Sequence, residues 1–597
     1  MQNKTQNTVH DIFALYFEGK SNQKLAYTLS KKLEHGHICI DIDNSPPEDK
    51  DYLSLNKIES SKYVTQDAIN NIKPFVLHNN KVYLHRYYYY ETNILERINQ
   101  LINTGKNNRK RQINSIIKNK KYILDLFELK HEENLEKDLL IPWQLIAVLS
   151  SILNNFSIIT GGPGTGKTTT ITKLLAILFK INPDISVALA APTGKAAARL
   201  NESLITGANN LKHLSNDIVE KFKELKAQTI HRLLGVKYES TEFVHNKENP
   251  LKYDLIIIDE SSMIDVAMMS KLLDSIQIKS KLVLLGDKDQ LSSIEAGSIF
   301  GDLCKSQAKI NSFLNIDFEF FNNIITTEEL QIPPSFATNN GNILTGTIVE
   351  LQRSYRFKST EGIGKFSNLV IHGISDEQQI FEPFNECVNT TQCVKITEDF
   401  NELDFYKMIS HYQKYIKEKN IDNALKYINE VKVLCAVKEG EYGVSNYNNK
   451  IENYLKSRGL LNPKQGFYHN QIIMISTNDY SLGLYNGDIG IVRNDPASDQ
   501  LKAYFQSEDK IINYPVANIN NYKTVFAMTI HKSQGSEFEN IIVILPENQE
   551  NTLISRELIY TAVTRAKNNV LLISKKDILI KAVNNKTQRI SGIMDRI

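Results

Sequence analysis

The sequence feature that most constrains the fold is a glycine-rich loop between a strand pattern and a helix pattern. The loop reads Gly161-Gly162-Pro163-Gly164-Thr165-Gly166-Lys167-Thr168 and is followed by Thr169, which completes the phosphate-binding sequence GxxxxGK(S/T). The apolar run FSIIT precedes the loop and ITKLLAILF follows it. A loop of this kind points consecutive backbone N–H groups, and the positive end of the next helix, at one anion. The chain is therefore predicted to contain a parallel α/β sheet with a nucleotide phosphate site at its edge.

Two carboxylates at the end of a later strand complete the predicted phosphate site. The stretch YDLIIIDE (253–260) is an apolar strand pattern that ends in Asp259 and Glu260, and α/β sheets bind ligands at the carboxyl ends of their strands. We predict that Asp259 and the Thr168 hydroxyl bind Mg²⁺ and that Lys167 reaches the β- and γ-phosphates. Glu260 is expected to polarise the attacking water, because in-line phosphoryl transfer needs a positioned base.

Three more side chains are predicted to face the nucleotide. Gln290, in GDKDQL (286–291), follows the next strand and is placed to report the state of the γ-phosphate. Arg356, in LQRSYRF, and Arg565, in YTAVTRAK, come from the later part of the chain. A cleft enzyme that couples hydrolysis to closure needs positive charge from the far wall, as an arginine finger. The alternative for either arginine is a surface salt bridge.

Short apolar runs alternate with helical segments in two parts of the chain, which predicts two buried parallel sheets. The predicted strands are 156–160, 186–190, 255–258 and 281–285 in the first part, and 432–437, 525–529, 541–545 and 570–574 in the second. We predict α/β domains at 140–350 and 351–597. The first contains an irregular polar insertion at 305–345, and the second contains a small all-β insertion at 463–523.

The region before the first sheet is predicted to be a helical domain, 1–104. Apolar spacing predicts helices at 64–72 and 87–102, and 35–43 is predicted to be a short strand or turn. The polar, basic stretch 105–139 is predicted to be a linker, with a DNA-contacting patch as the alternative. The tyrosines at 87–90 could stack on nucleobases, but their helical setting favours packing.

Charge and hydropathy exclude few function classes. The formal net charge is +2, so a nucleic-acid partner would have to be met by a local basic surface. No run of about 18 apolar residues occurs, which argues against a membrane partner. The start of the sequence has no basic segment followed by an apolar one, so we expect a cytoplasmic chain.

The motif order resembles that of the superfamily 1 helicases. The motifs are GGPGTGKTTT, APTGKAAARL, TIHRLLG, DESSMID, GDKDQL, SYRF, TIHKSQGSEF and YTAVTRAK. More narrowly, CAVKEGEYGVSNYNNKIE (435–452) and STNDYSLGLYNGDIGIV (476–492) are similar to the RecD branch. The stretches KKLEHGHICIDID (31–43) and VYLHRYYYYE (82–91) resemble the RecD subunit of the bacterial RecBCD helicase–nuclease.

This resemblance implies a fold, cofactors and partners. The implied fold class is α/β, with two RecA-like P-loop NTPase domains in tandem, a helical N-terminal partner-binding domain and an SH3-like β insertion. The implied function is ATP- and Mg²⁺-dependent 5′-to-3′ DNA unwinding beside RecB- and RecC-like subunits in double-strand-break repair and recombination. No separate nuclease constellation is visible in the sequence, so exonuclease activity is expected only of the assembled complex.

The resemblance also implies binding residues. Gln144, in PWQ, matches a glutamine that contacts adenine, with helix capping as the alternative. A single-stranded DNA track is implied along the following residues: Pro192, Thr193, Lys195, Thr229, His231, Thr529, His531 and Ser533. Hydroxyls and backbone amides suit such a track because they grip phosphate and sugar without reading bases. For the two histidines, an ordinary structural role at a turn is the alternative.

Two other functions remain open from the sequence. One is a free-standing RecD-like helicase, although those relatives carry a longer N-terminal extension. The other is a P-loop protein that uses ATP as a binding switch or loader without unwinding DNA.

Overall fold

The structure is a computed structural model. It describes residues 8–49, 52–129, 137–237, 239–293, 295–307, 309–374, 376–385, 392–397, 402–479, 481–495, 498, 500–507, 510–547 and 554–597.

A six-stranded, all-parallel sheet forms the first α/β layer. Its strands lie in the spatial order Ile348–Glu350, Phe156–Thr160, Lys281–Gly286, Leu255–Ile258, Val187–Ala191 and Ala227–Thr229. The four strands predicted from apolar runs are confirmed to within one residue at either end. Its helices are Lys137–Leu140, Trp143–Leu153, Lys167–Ile181, Gly194–Asn210, Asn216–Glu224, Ile230–Leu234, Val266–Asp274, Ile299–Lys305 and Asn315–Ile324.

A second parallel sheet of five strands forms the other α/β layer. Its spatial order is Cys393–Thr397, Ala566–Ile573, Phe538–Ile544, Val431–Cys435 and Ala527–Thr529. Its helices are Gly362–His372, Glu382–Asn385, Glu402–Ile409, Tyr412–Lys417, Ile421–Tyr427, Val444–Ser457, Arg556–Val563 and Lys576–Asn584. Both sheets carry buried aliphatic side chains on both faces, as the continuous apolar runs predict. The tandem α/β fold class is confirmed.

An antiparallel sheet lies inside the second layer, within the predicted all-β insertion. Its strands are ordered Lys510–Pro515, Leu501–Ser507, Ile489–Asn494, Ile472–Ile475 and Tyr522–Thr524. It has a hydrophobic cluster of its own, which includes the buried Ile473, Val492 and Phe505. The likeness of this sheet to an SH3 domain stays a prediction.

The N-terminal domain contains more strands than the prediction of a helical domain with one short strand or turn at 35–43, where the strand Cys39–Asp41 lies. A four-stranded sheet, ordered Cys39–Asp41, Lys81–Leu84, Phe75–His78 and Val64–Thr65, packs beside the helices. Its helices are Val9–Ala14, Lys20–Glu34, Leu55–Glu59 and His85–Lys118. The predicted helix 64–72 begins instead as a strand. Its apolar spacing was misleading because Ile69 and Ile72 are 84% and 77% exposed and form no buried helical face.

The predicted basic linker at 105–139 is also wrong where the structure describes it. The helix His85–Lys118 runs through its first half, and the helix Lys120–Phe127 follows directly. Ile116, Ile123 and Leu126 are buried in the core of the first layer. The sequence of the stretch is mostly polar because only these apolar side chains, along one narrow face of the helices, pack against the core. Residues 130–136 lie outside the described part of the chain.

The segment 305–345 is folded against the first layer. Its short strands Phe313–Leu314 and Ala337–Thr338 pair in parallel and flank the helix Asn315–Ile324. Phe321 is buried in the same core as Trp143, whose ring meets Phe336 edge-on at 5.2 Å between ring centroids. The sequence looks irregular here because these apolar residues are widely spaced.

Candidate functional site

The phosphate-binding loop lies between the strand Phe156–Thr160 and the helix Lys167–Ile181. Gly164 and Gly166 have φ values of +78° and +83°, which side-chain-bearing residues rarely adopt. A Cβ at Gly164 would collide with the Arg356 side chain, and one at Gly166 with the Gln144 amide. The loop therefore needs glycine at both positions, for backbone conformation and for space.

Two side chains brace this loop from within the first layer. The Lys167 ammonium donates to the carbonyls of Gly161 and Gly162 at 2.6 and 3.3 Å. The Gln144 amide nitrogen donates to the Thr165 carbonyl at 3.1 Å. Lys167 thus lies folded against the loop, where an incoming phosphate can replace its carbonyl partners. Gln144 is a loop contact, and its role toward adenine stays a prediction.

The two carboxylates follow the strand Leu255–Ile258, as predicted. Burial and the neighbouring Glu260 raise the pKa of Asp259 to about 6. Glu260 has a φ of +51°, a conformation that costs about 1–3 kcal/mol and is found at functional sites. A divalent cation between the Thr168 hydroxyl and the Asp259 carboxylate would offset this crowding of buried negative charge. These donors are hard oxygens, which suit Mg²⁺.

Two arginines bring positive charge into the cleft, Arg356 from beside the phosphate loop and Arg565 from the second layer. Arg356 follows the last strand of the first sheet, and its guanidinium donates to the Glu537 carboxylate at 2.6 Å. Arg565 is 3% exposed, and it donates to the carbonyls of Thr561 and Ser536 at 3.2 and 3.3 Å. Both bonds fix the guanidinium to its own layer.

Sequence reasoning missed a partly buried ion pair that joins the two layers. Arg199, on the helix Gly194–Asn210, contacts the same Glu537 carboxylate as Arg356. Burial opposes ionisation of Glu537, but Arg199 and Arg356 together hold its pKa down at about 2. Glu537 lies inside the quoted motif TIHKSQGSEF and Arg199 inside APTGKAAARL. Only the three-dimensional contact distinguishes them from ordinary surface charges.

One cavity of about 570 Å³ collects these groups from both layers. Its lining includes the residues Gln144, Pro163, Gly164, Thr165, Gly166, Lys167, Thr168, Thr169, Asp259, Glu260, Gln290, Arg356 and Arg565. The predicted nucleotide residues Gly161 and Gly162, at the start of the loop, are not among the lining residues, and their carbonyls accept from Lys167. The unpredicted Arg199, Tyr355 and Glu537 also line this cavity. A triphosphate held here would meet backbone amides and Lys167 of the loop, Arg356 beside the loop and Arg565 of the second layer.

The residues of the predicted DNA track lie at the carboxyl ends of three strands. Pro192, Thr193 and Lys195 follow Val187–Ala191, and the next strand of the sheet ends at Thr229. The hydroxyls of Thr193 and Thr229 accept from the amides of Ala196 and Arg232, each at 3.2 Å, and cap the helices that follow. The His231 ring packs edge-on against Phe243. These contacts are structural and leave the role of the track untested.

The second layer supplies the other part of the predicted track after the strand Ala527–Thr529. Burial lowers the pKa of His531, so this imidazole is neutral at pH 7. Ser533 differs from the rest: it is fully buried, and its hydroxyl donates to the Ile530 carbonyl at 2.7 Å. In this conformation Ser533 supports the turn and does not face solvent.

The small antiparallel sheet reaches over the first part of this track. A Cβ at Gly194 would lie 2.6 to 2.9 Å from the Tyr485 side chain. Burial lowers the pKa of Lys195 to about 8, while the nearby Asp488 opposes that shift. Tyr485 and Asp488 belong to the turn before the strand Ile489–Asn494. Gly194 and the neighbouring Lys195, a residue of the predicted track, are therefore covered by a turn of the insertion.

Across the described ranges, no helix is both long and apolar enough to span a membrane.

Comparison with known families and proteins agrees with this arrangement. Residues 144–296 match the model of an AAA domain, and residues 524–573 match that of a UvrD-like helicase C-terminal domain. The chain is 31% identical to the RecBCD enzyme subunit RecD of Buchnera aphidicola subsp. Schizaphis graminum, over 97% of this chain and 98% of that protein. It is 33% identical to the corresponding subunit of Haemophilus influenzae, over 89% and 82%. It is also 26% identical to the ATP-dependent RecD2 DNA helicase of Deinococcus radiodurans, over 74% of this chain and 50% of that protein.

Proposed function

Because this chain belongs to the RecD family of ATP-dependent DNA helicases, we propose that it is the 5′-to-3′ motor subunit of a RecBCD-type helicase–nuclease that acts in double-strand-break repair and recombination. The observation that carries the proposal is the shared cavity. Phosphate-binding groups of the first layer face Arg565 across it, and Glu537 of the second layer is held by Arg199 and Arg356. Such a site is complete only when the two layers are close together.

Each group then has a defined task in hydrolysis. The loop amides and Lys167 hold the β- and γ-phosphates, and Gln144 contacts the adenine. Thr168 and Asp259 would hold Mg²⁺, which supplies charge compensation when bound. Glu260 polarises the attacking water, and Arg356 and Arg565 stabilise the charge that develops on the transferred group. Loss of the γ-phosphate weakens the attraction for both arginines, so the cleft opens and the DNA track moves.

The track proposal predicts a specific effect of Lys195→Gln. Losing one phosphate contact should weaken single-stranded DNA binding at all sequences alike, and should reduce the slope of log K against log salt by about 0.7. Fluorescence anisotropy of labelled oligonucleotides over a salt series measures both quantities. Lys279→Gln is the matched control, because Lys279 is exposed near the opposite end of the strands, just before Lys281–Gly286. An unchanged slope for Lys195→Gln would remove Lys195 from the track.

Subunit function is favoured over a free-standing helicase by the extent of the two similarities. The chain spans 98% and 82% of the two subunit relatives but only half of the RecD2 helicase. We therefore propose RecB- and RecC-like partners, and assign exonuclease activity to the assembled complex and not to this chain. The proposed location is the cytoplasm, where the DNA is.

The subunit proposal is tested by co-expression of the full chain with RecB- and RecC-like proteins of the same genome. We expect a complex of all three in size-exclusion chromatography and ATP-dependent degradation of linear duplex DNA by that complex. The purified chain alone should hydrolyse ATP when single-stranded DNA is added and should degrade nothing. A chain that stays monomeric in the mixture yet unwinds DNA would support the free-standing alternative. ATP binding without any hydrolysis or unwinding would support the switch alternative.

A further inference from the structure

The segment 287–291, which carries Gln290, is held by the second layer as well as by the first. The Tyr560 hydroxyl donates to the Asp287 carboxylate at 3.1 Å. Thr561 follows Tyr560 on the helix Arg556–Val563, and its hydroxyl accepts from the Leu291 amide at 2.9 Å. The Gln534 amide nitrogen donates to the Leu291 carbonyl at 2.8 Å. Three buried hydrogen bonds thus cross the cleft to one short segment.

The Asp287 carboxylate also fixes which way the Gln290 amide points. Gln290 Nε2 donates to the same oxygen, Oδ2, that accepts from Tyr560, at 2.9 Å. An ionised carboxylate only accepts hydrogen bonds, so the amide nitrogen must face it and the carbonyl oxygen must face away. Burial raises the pKa of Asp287 to about 6, and the hydrogen bond from Gln290 opposes that shift. The carbonyl oxygen of Gln290 therefore faces away from Asp287 and can accept a hydrogen bond from a water molecule, while the second N–H of the amide remains a donor.

Tyr560 is placed to make this arrangement depend on closure of the cleft. It lies on the helix Arg556–Val563 of the second layer and is 3% exposed. A Cβ at Gly162 would be only 2.8 Å from its hydroxyl, so that hydroxyl sits between the phosphate loop and Asp287. If the layers separate, Tyr560, Thr561 and Gln534 leave the segment together.

We propose that Tyr560 is a positioning residue that couples cleft closure to hydrolysis: by binding Asp287 it fixes the carboxylate that orients Gln290 toward the attacking water. The proposal rests on the helicase function proposed above, because it concerns the same nucleotide site. It assigns Gln290 to the water, whereas the motif alone suggested contact with the γ-phosphate.

The test is Tyr560→Phe in the full chain, which removes one hydroxyl and keeps the ring. We expect kcat for DNA-stimulated ATP hydrolysis to fall about ten- to hundredfold, since misplacement of a positioning group has effects of that order. The KM for ATP should not change, because the loop contacts remain. Deuterium exchange at the amides of 287–291 should rise. Tyr560→Phe combined with Gln290→Ala should be no slower than Gln290→Ala alone.

Tyr412→Phe is the matched control. Tyr412 is equally buried in the second layer, and its hydroxyl donates to the Val431 carbonyl at 2.9 Å, away from the cleft. An equal loss of kcat in this control would reduce Tyr560 to a stability role and overturn the proposal. Unchanged kcat and exchange in Tyr560→Phe would overturn it as well. If the wild-type chain hydrolyses no ATP, the proposed function fails, while the exchange comparison still decides whether Tyr560 holds the segment.

Discussion

Arg565→Ala is expected to reduce DNA-stimulated ATP hydrolysis by about 10³- to 10⁵-fold, the range known for arginine fingers. The guanidinium is buried, is fixed by two carbonyls of its own layer and lines the cavity opposite the phosphate loop. In the proposed mechanism its charge reaches the transferred phosphoryl group only through closure of the layers. Removing it takes away charge stabilisation without touching the loop, so nucleotide affinity should fall much less than kcat.

Measurement of kcat together with the affinity for a fluorescent ATP analogue separates these two effects. Arg458→Ala serves as the control, because Arg458 is exposed just after the helix Val444–Ser457 of the same layer. Arg565→Lys should remain strongly impaired, since an ammonium cannot reproduce the planar fork of a guanidinium. Near-normal kcat in a folded Arg565→Ala chain would show that Arg565 is a structural residue only.

Glu260→Gln is expected to lower kcat by about 10²- to 10⁴-fold, the usual contribution of a general base. The amide keeps the shape of the carboxylate but cannot polarise a water molecule toward attack. Removing one of two adjacent carboxylates should also relieve the repulsion that helps raise the pKa of Asp259. ATP should therefore remain bound, and the variant should accumulate in the nucleotide-bound, closed form.

Single-turnover hydrolysis and nucleotide retention on a desalting column measure the two halves of this prediction. Glu202→Gln is the matched control, since Glu202 is exposed on the helix Gly194–Asn210 of the same layer. Loss of ATP binding in Glu260→Gln, with unchanged single-turnover chemistry, would assign Glu260 to nucleotide binding and leave the base unidentified.

The central sheets could be predicted from the sequence because their signals are local. A buried parallel strand appears in the sequence as a continuous apolar run. The motif from Gly161 to Thr168 predicts the strand before it, the helix after it and the phosphate ligand. Three of the four N-terminal strands were missed because they have only two to four residues, too few for a period to show. A usable signal was the pair Asn79–Asn80, which joins two strands with φ values of +48° and +55° and is typical of a tight hairpin turn.

The parts of the site that escaped prediction depend on contacts between residues far apart in the chain. Glu537 is unremarkable in sequence, yet it becomes the shared partner of Arg199 and Arg356. Asp287 is likewise an ordinary turn residue until Tyr560 binds it from 273 positions away. Neither hydrophobic period nor motif spacing encodes such a pairing, because both describe neighbours along the chain.

The most direct test of the account is strand unwinding by the purified full chain on matched duplexes that carry a 5′ or a 3′ single-stranded tail. Lys167→Gln should abolish activity, while Lys180→Gln, at the exposed far end of the same helix, should not. We predict ATP-dependent opening of the 5′-tailed duplex alone. Opening of the 3′-tailed duplex alone, or unwinding that survives Lys167→Gln, would contradict the proposed motor.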